Sequence, residues 1–286
     1  MREIFDRLQV VPIEDVLVHE GVVERQVDRI ADYVQHDGVM KNPIVVAEVE
    51  DQGAHKGRYI VLDGMHRVQA MSRLGCTDIL VFISDYWSSQ IRLASWDALL
   101  LDPINPRELL EELFPKGEVK ISTAKTIDQA RERVYGRDIA MALAQPNGEV
   151  TGIRVMQGDG TSLSRTVEIL TRIESKFDEL GTRIVYTPSS KSNIDHATQP
   201  DAMLFMRPLF SKQEVMQRTL AGKIFPRKST RFLVPERPLR VDFHLTVLKA
   251  DLDLATKNQL LDAHLQWCWE NNKVRYYPEP VFVFGD

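Results

Sequence analysis

The sequence predicts an α/β protein in two parts, and three observations carry that prediction. Short apolar runs suited to strands alternate with amphipathic stretches suited to helices over the first hundred residues. One of these runs, residues 59–62, ends in Asp63-Gly64 and passes straight into a helical pattern. A second series of strand-like and helix-like segments follows the proline-interrupted stretch DPINP at 102–106. The expected domains are therefore 1–100 and 101–286.

Residues 9–20 (QVVPIEDVLVHE) begin as a strand and lead to His19-Glu20. Residues 24–36 place Val27, Ile30, Ala31 and Val34 on one face, which predicts a helix stopped near Gly38. Asn42-Pro43 precedes a strand at 44–47, and 59–62 forms the next. The helix after it carries His66 and Arg67 in its first turn and Val68, Met71 and Leu74 as its apolar stripe, with Gly75 at the C-cap. A strand at 79–84 follows. An apolar, helix-like run precedes the prolines of 102–106.

In the second part, residues 107–114 (RELLEELF) are amphipathic and helical, and 116–120 turns strand-like. Residues 126–135 read as a helix opened by Thr126 and Gln129 at capping-box spacing. Asn147-Gly148 marks a hairpin turn between strands at 139–144 and 150–155. The clearest long helix covers 162–180, with Val167, Leu170, Ile173, Phe177 and Leu180 as its stripe. A strand at 184–187, a polar loop at 188–200 and a buried strand at 202–206 come next. A helix at 211–222 starts from Ser211 and Glu214, and 251–273 is a helical tail. Trp87, Trp267 and Trp269 read as structural.

The Asp63-Gly64 turn carries the first chemical signal. A strand feeding a helix through a glycine leaves free N–H groups and the positive end of the helix dipole pointing at one spot, which suits an anion. Arg67 adds a bidentate phosphate fork, and Asp63 a carboxylate able to hold a metal or a substrate hydroxyl. The same residues also suit an ordinary turn with a solvated arginine, and the local pattern leaves both readings open. Neither a G-x-x-x-x-G-K-[ST] loop nor a G-x-G-x-x-G turn occurs, which disfavours the usual nucleotide folds.

A second signal lies at 224–232 (IFPRKSTRF). Lys228, Thr230 and Arg231 offer an ammonium, a hydroxyl and a guanidinium to a polyphosphate, and Pro226 stiffens the approach. A solvated basic loop is the alternative. Glu20 is a candidate general base, or else a carboxylate near a helix N-terminus worth only ~0.3–1 kcal/mol. His19 reads as a buried histidine with a backbone partner. Trp96, in LASWD, is either a core residue or a wall that excludes water from a small substrate.

The order of these pieces resembles a known fold. His-Glu, a helix, GVMKNPIVV and then YIVLDGMHRVQAMSRLG is similar to the ParB/sulfiredoxin-like nucleotide-binding fold. Within it the chain most resembles the free L-serine kinases, whose signature D-G-H-H-R precedes a helix ending in L-G. Residues 224–232 are similar to the F-P-P-K-T/S-T-R-H segment of that family, and RPLRV (237–241) follows as it does there. The resemblance spans roughly the whole chain. Met65 stands where the family has the first histidine of its signature, and Phe232 where the second motif ends in histidine; both replacements remove a polar group from the implied site.

The resemblance implies a kinase that moves a phosphoryl group from ATP or ADP to free L-serine, with Mg2+, giving O-phospho-L-serine for cysteine, diaminopropionate or siderophore biosynthesis. By resemblance Glu20 takes the hydroxyl proton and Trp96 lines the amino-acid pocket. Asp63 and His66 are catalytic, and Asp63 holds the metal. Gly64, Met65, His66, Arg67, Lys228, Thr230 and Arg231 bind the nucleotide phosphates. The N-terminal domain binds nucleotide, and the C-terminal α/β domain closes over it and contributes the loop 228–231. Two alternatives stay open: a kinase for another small acceptor, and a ParB-like regulator that binds nucleotide without turnover.

Composition agrees with an enzyme of small molecules. The chain is 43% hydrophobic and 27% charged, ordinary values for a globular protein. A net charge of −5 and a pI near 5.9 disfavour DNA as a partner, and no basic recognition helix is evident. No run approaches 18 apolar residues and the N-terminus lacks signal-peptide architecture, so no membrane partner is expected. Cys76 and Cys268 have no metal-ligand spacing, which points to a reducing cytoplasm.

Overall fold

A computed structural model describes residues 3–49, 57–102, 104–114, 117–156 and 162–277. The chain forms two compact units, and each is discontinuous: residues 1–17, 24–86 and 236–286 make the first, 18–23 and 87–235 the second.

The first unit begins with a short helix α1 (Glu3–Asp6) and strands β1 (Leu8–Pro12) and β2 (Val16–Leu17). Helix α2 (Glu24–Asp37) follows, then β3 (Val39–Met40), β4 (Ile44–Glu48), β5 (Tyr59–Asp63), helix α3 (Met65–Arg73) and β6 (Asp78–Ile83). Five of these strands form one sheet in the order β1-β6-β4-β5-β2. The β4–β6 and β2–β5 pairs are parallel, while β1–β6 and β4–β5 are antiparallel. The run Ile44 to Ala47 is buried without alternation because β4 lies in the middle of the sheet, covered on both faces. Helix α2 turns Val27 and Ala31 inward, matching the stripe in the sequence. Gly38, at φ 70°, ends it.

The second unit contains β7 (Arg92–Ala94), β8 (Trp96–Leu100), helix α4 (Pro106–Leu113), β9 (Val119–Ala124), helix α5 (Ile127–Tyr135), and the hairpin β10 (Met141–Ala144) and β11 (Val150–Val155). Helix α6 (Leu163–Glu179), β12 (Ile184–Pro188), helix α7 (Ser192–Ala197), β13 (Met203–Met206), helix α8 (Lys212–Leu220) and β14 (Arg231–Leu233) complete it. Six strands form an antiparallel sheet in the order β12-β8-β13-β10-β11-β9. Successive side chains on a strand point to opposite faces, and here both faces are covered. Ala98, Leu100, Met203 and Phe205 pack with Leu109 and Leu110 of α4 and Ile169, Ile173 and Phe177 of α6. Leu99, Leu204 and Met206 pack on the other face with Ala130 and Val134 of α5.

The capping signals at Thr126 and Ser211 hold: Thr126 accepts from Gln129 N, and Ser211 and Glu214 form a complete capping box. Asn105, which the sequence reading did not single out, caps α4 with Pro106 at its first position.

The chain returns to the first unit through β15 (Phe243–His244), which pairs with β3, and helices α9 (Leu245–Lys249) and α10 (Leu254–Glu270). Asn258 of α10 accepts from Val10 N and donates to Val10 O, both at 2.9 Å. Its amide thus satisfies the outer polar groups of edge strand β1, a standard protection against open pairing.

Three expectations differ from the structure. The apolar run ahead of the prolines is strand β8, not helix; a strand buried on both faces shows no alternation and reads like a buried helix. The segment 188–200 is not all loop, since Ser192 to Ala197 is helical: the Ser192 hydroxyl, fully buried, donates to Asp97 Oδ2 at 2.7 Å, and that partner is 95 residues away. The strand expected at 116–120 runs instead over Val119–Ala124, and Lys116 lies outside the described residues. The compact units also divide the chain elsewhere than at residue 100, because β8 pairs into the six-stranded sheet and 236–277 packs with the first.

Candidate active site

The expected site residues fall into two groups, one in each unit. In the first unit, β5 ends at Asp63 and Gly64 caps α3 at φ 109°, a conformation costly for any side chain. A Cβ there would also lie 3.0 Å from both Ile44 Cδ1 and Arg67 Nη2. The glycine is therefore required twice, by its dihedral and by the close approach. Met65 and His66 occupy the first turn of α3, half-buried, beside its free N–H groups.

Arg67 does not offer its fork outward. Its Nη1 donates to the carbonyls of Asn42 at 3.0 Å and Pro43 at 2.7 Å, and its Nη2 donates to Asp63 Oδ2 at 2.9 Å. It ties the turn to the segment before β4. The same Asp63 oxygen accepts Arg237 Nη1 at 2.7 Å. Burial pulls the Arg67 guanidinium below its usual range; the Asp63 charge opposes this, and the smaller effect of Arg237 adds to the lowering. Asp63 Oδ1 accepts no bond among the described residues.

In the second unit, Gly21 N donates to Phe225 O at 3.0 Å and Phe225 N to His19 O at 2.7 Å, so the His19-Glu20 segment runs beside the loop that follows Phe225. Glu20 is buried. Its Oε2 accepts Lys228 N at 2.9 Å, and its Oε1 accepts both the backbone N and the hydroxyl of Thr230 at 2.5 Å. Burial pushes the Glu20 carboxyl up from 4.5, and the Thr230 bonds, the Arg207 charge and the Lys228 N–H pull it partly back, to about 7. His19 is buried as expected, but the partner seen here is a side chain, Thr230 Oγ1 at 2.7 Å. The His19 ring meets Phe232 edge-on at 5.6 Å, so Phe232 fills apolar space against the imidazole.

The backbone at Lys228 turns left-handed, φ 57°, which sends its amide towards Glu20. β14 pairs Arg231 with Ala94 of β7, two residues before Trp96. Lys228 Nζ and the Arg231 guanidinium both lie 5.0 Å from the centre of the Trp96 ring, within cation–π range. Trp96 is thus a platform that holds two cations, a role its position in the sequence did not disclose.

Arg207, 1% exposed, fastens this loop from within. It donates to Lys228 O at 2.9 Å and Arg227 O at 3.0 Å, pairs with Glu174 at 2.5 Å, and lies over the Tyr186 ring. Its sequence signal was faint: an arginine ending the apolar strand AMLFM. Arg237 had a better one, as the first residue of RPLRV.

Among the described residues no three His, Cys, Asp or Glu side chains gather as a metal cage, and no helix is long and apolar enough to cross a membrane.

Residues 6–95 match the ParB N-terminal domain. The chain is 25% identical over 250 residues to the ATP-dependent L-serine kinase of Desulfurococcus mucosus, covering 84% of this chain and 90% of that protein. It is 23% identical over 243 residues to the ADP-dependent L-serine kinase SerK of Thermococcus kodakarensis, covering 83% and 91%. Among solved structures, SbnI with C-terminal truncation from Staphylococcus aureus superposes with a TM-score of 0.73 at 16% identity, over 94% of this chain and all of that one. The resemblance to L-serine kinases therefore extends over most of the chain, and the fold is theirs.

Proposed function

We propose that this chain is a free L-serine kinase, transferring the terminal phosphoryl group of ATP or ADP to the serine hydroxyl to give O-phospho-L-serine. The observation that carries the chemistry is Glu20: a buried carboxylate with a pKa near 7, held by three N–H and O–H donors. A general base works best with a pKa close to the operating pH. A protein that only bound nucleotide would have no use for a carboxylate poised in this way, which disfavours the regulator.

In the reaction Glu20 accepts the proton of the serine hydroxyl. The serine oxygen forms a bond to the terminal phosphorus as the bond from that phosphorus to the nucleotide's bridging oxygen breaks. Glu20 Oε2 takes a single bond, from Lys228 N, and so has room for the hydroxyl. Lys228 and Arg231 neutralise charge that spreads over the transferred group, and Thr230 holds the base in place. Gly64, Met65 and His66 offer the phosphates the N–H groups and side chains of a helix N-terminus. Trp96 keeps Lys228 and Arg231 in position and walls the acceptor from water.

Asp63 fits Mg2+, which is commonly held by one or two carboxylates and the substrate's phosphates; its Oδ1 is available while Oδ2 is held by two guanidiniums. The ion, held by Asp63, would supply charge neutralisation to the donor's phosphates. Two free cysteines suit a reducing cytoplasm.

Phosphorus NMR of the purified protein with Mg2+, L-serine and either ATP or ADP tests the reading. A new phosphomonoester signal with matched donor loss is expected, and the nucleotide product names the donor. Glu20→Gln should lose turnover by 100-fold or more, in the range of general-base catalysis, while still binding nucleotide. Near-normal turnover by that variant would remove Glu20 from the mechanism.

A further inference from the structure

Two guanidiniums share one oxygen of Asp63, and they differ in what else they do. Arg67 spends both terminal nitrogens inside the turn, on Asn42 O, Pro43 O and Asp63, and its side chain is 23% exposed. Arg237 is 44% exposed, and among the described residues its Nε and Nη2 bond no protein acceptor.

The segment carrying Arg237 is anchored on both sides without it. Glu236 accepts Arg7 Nη1 at 2.6 Å, and Arg7 is itself fixed by Nε donating to Ile83 O at 2.8 Å. Arg240 N donates to Asn42 Oδ1 at 3.0 Å. The Arg237 side chain can therefore change partner while its backbone stays in place.

Charge supplies the third part of the argument. Two guanidiniums against one carboxylate leave the turn with an excess of one positive charge, beside the N-terminus of the nine-residue helix α3. Arg67 and Arg237 repel one another across Asp63. An anion beside Gly64 relieves that repulsion, and Arg237 is the better placed to meet it: it is the more exposed of the two and gives one of its five N–H groups to Asp63, whereas Arg67 gives three to Asn42, Pro43 and Asp63.

We infer that Arg237 is the guanidinium that binds the nucleotide's phosphates at the Asp63-Gly64 turn, with Arg67 serving as the scaffold beneath it. This rests on the kinase reading and moves the phosphate fork expected at Arg67 to a residue 170 positions later in the chain. It also gives Asp63 a second duty, which is to aim Arg237.

Calorimetric titration of the full-length protein with ADP tests the assignment, because ADP is either donor or product. Arg237→Gln should weaken ADP binding about 10- to 100-fold, the range for losing a charge-assisted bidentate contact. Arg237→Lys, which keeps the charge and loses the fork, should fall between. The thermal midpoint should stay within a few degrees in both variants, since the side chain is half-exposed. ADP affinity within twofold of wild type in Arg237→Gln would overturn the inference and leave the kinase reading standing. Weakened binding with a fallen midpoint in both variants would assign Arg237 to the fold and overturn it too. Failure of the wild type to bind ADP would remove the kinase reading and this inference together.

Discussion

Thr230 gives Glu20 two hydrogen bonds, from its backbone N and its hydroxyl, both to Oε1 and both at 2.5 Å. A hydroxyl has one proton, so with that proton directed to Glu20 the 2.7 Å contact between Thr230 Oγ1 and His19 Nε2 must be donated by the imidazole. The result is a chain from a buried histidine through a threonine to a buried base, every member fixed by the next.

The Glu20 carboxyl sits near 7 rather than 4.5, chiefly because it is buried. Turnover should therefore rise with pH through about 7 and fall away below it, as the base becomes protonated. A pH–rate profile of kcat checks this; an acid limb near 4.5 would show that Glu20 is not the group seen.

The same shift has a stability consequence of definite sign. The folded pKa is raised above the unfolded value, so the protonated form is favoured by folding. Stability from this group is fully present below about 4.5 and is lost as pH rises from there through about 7. Between pH 4.5 and 8 the wild type should lose more stability than Glu20→Gln, by up to ~3 kcal/mol, taking 1.36 kcal/mol per unit. Thermal midpoints of both proteins across that range measure the difference.

Thr230→Val removes the hydroxyl that most lowers the Glu20 pKa. It should shift the acid limb to higher pH and cut kcat by about tenfold, the worth of one hydrogen bond to a charge. Thr230→Ser should restore both. An unmoved limb in the valine variant would mean that the threonine only fills space.

Trp96→Leu takes away the ring that carries Lys228 and Arg231. Each cation–π contact at a partly exposed site is worth about 0.5–1 kcal/mol, so loss of both should raise KM for the nucleotide about 5- to 30-fold, with Trp96→Phe nearer to wild type. A change confined to KM for serine would instead make Trp96 purely a wall of the acceptor pocket.

Arg207→Met leaves Glu174 buried without its cation. Breaking such a pair costs ~3–5 kcal/mol, which corresponds to a thermal midpoint lower by roughly 10 °C. The double replacement with Glu174→Gln should recover part of this. Equal midpoints for single and double variants would rule out a coupled pair.

What was legible in the sequence was what neighbours in the chain decide. The strand, Asp63-Gly64 and the helix after it were readable because a glycine turn, an apolar stripe and a C-capping glycine act within a dozen residues. Glu20 could be flagged, but its environment could not: the burial that raises it towards neutrality, and the donors at residues 228 and 230 that pull it partly back, come from chain more than 200 residues away. The fate of Arg67 was hidden for the same reason, since its acceptors Asn42 and Pro43 become neighbours only through the pairing of β4 with β5. The strand β8 was misread because burial on both faces erases the alternation that marks a strand. Helix α7 has little helical pattern and is ordered by Asp97 and Arg131, which lie on other elements.

The first unit is assembled from three separate lengths of chain, and its edge strand β1 is completed by Asn258. The ladder partner of β1, strand β6, follows early in the chain, but the amide that closes its outer edge comes from a residue 248 positions after Val10. The second unit, whose long stretch 87–235 is continuous apart from the six residues around Glu20, has most of its partners available earlier. Large loops close slowly because their entropy is spent before any contact rewards it. Protection of that sheet edge is therefore a long-range affair: without α10 the outer polar groups of β1 at Val10 would lie open to pairing with another strand.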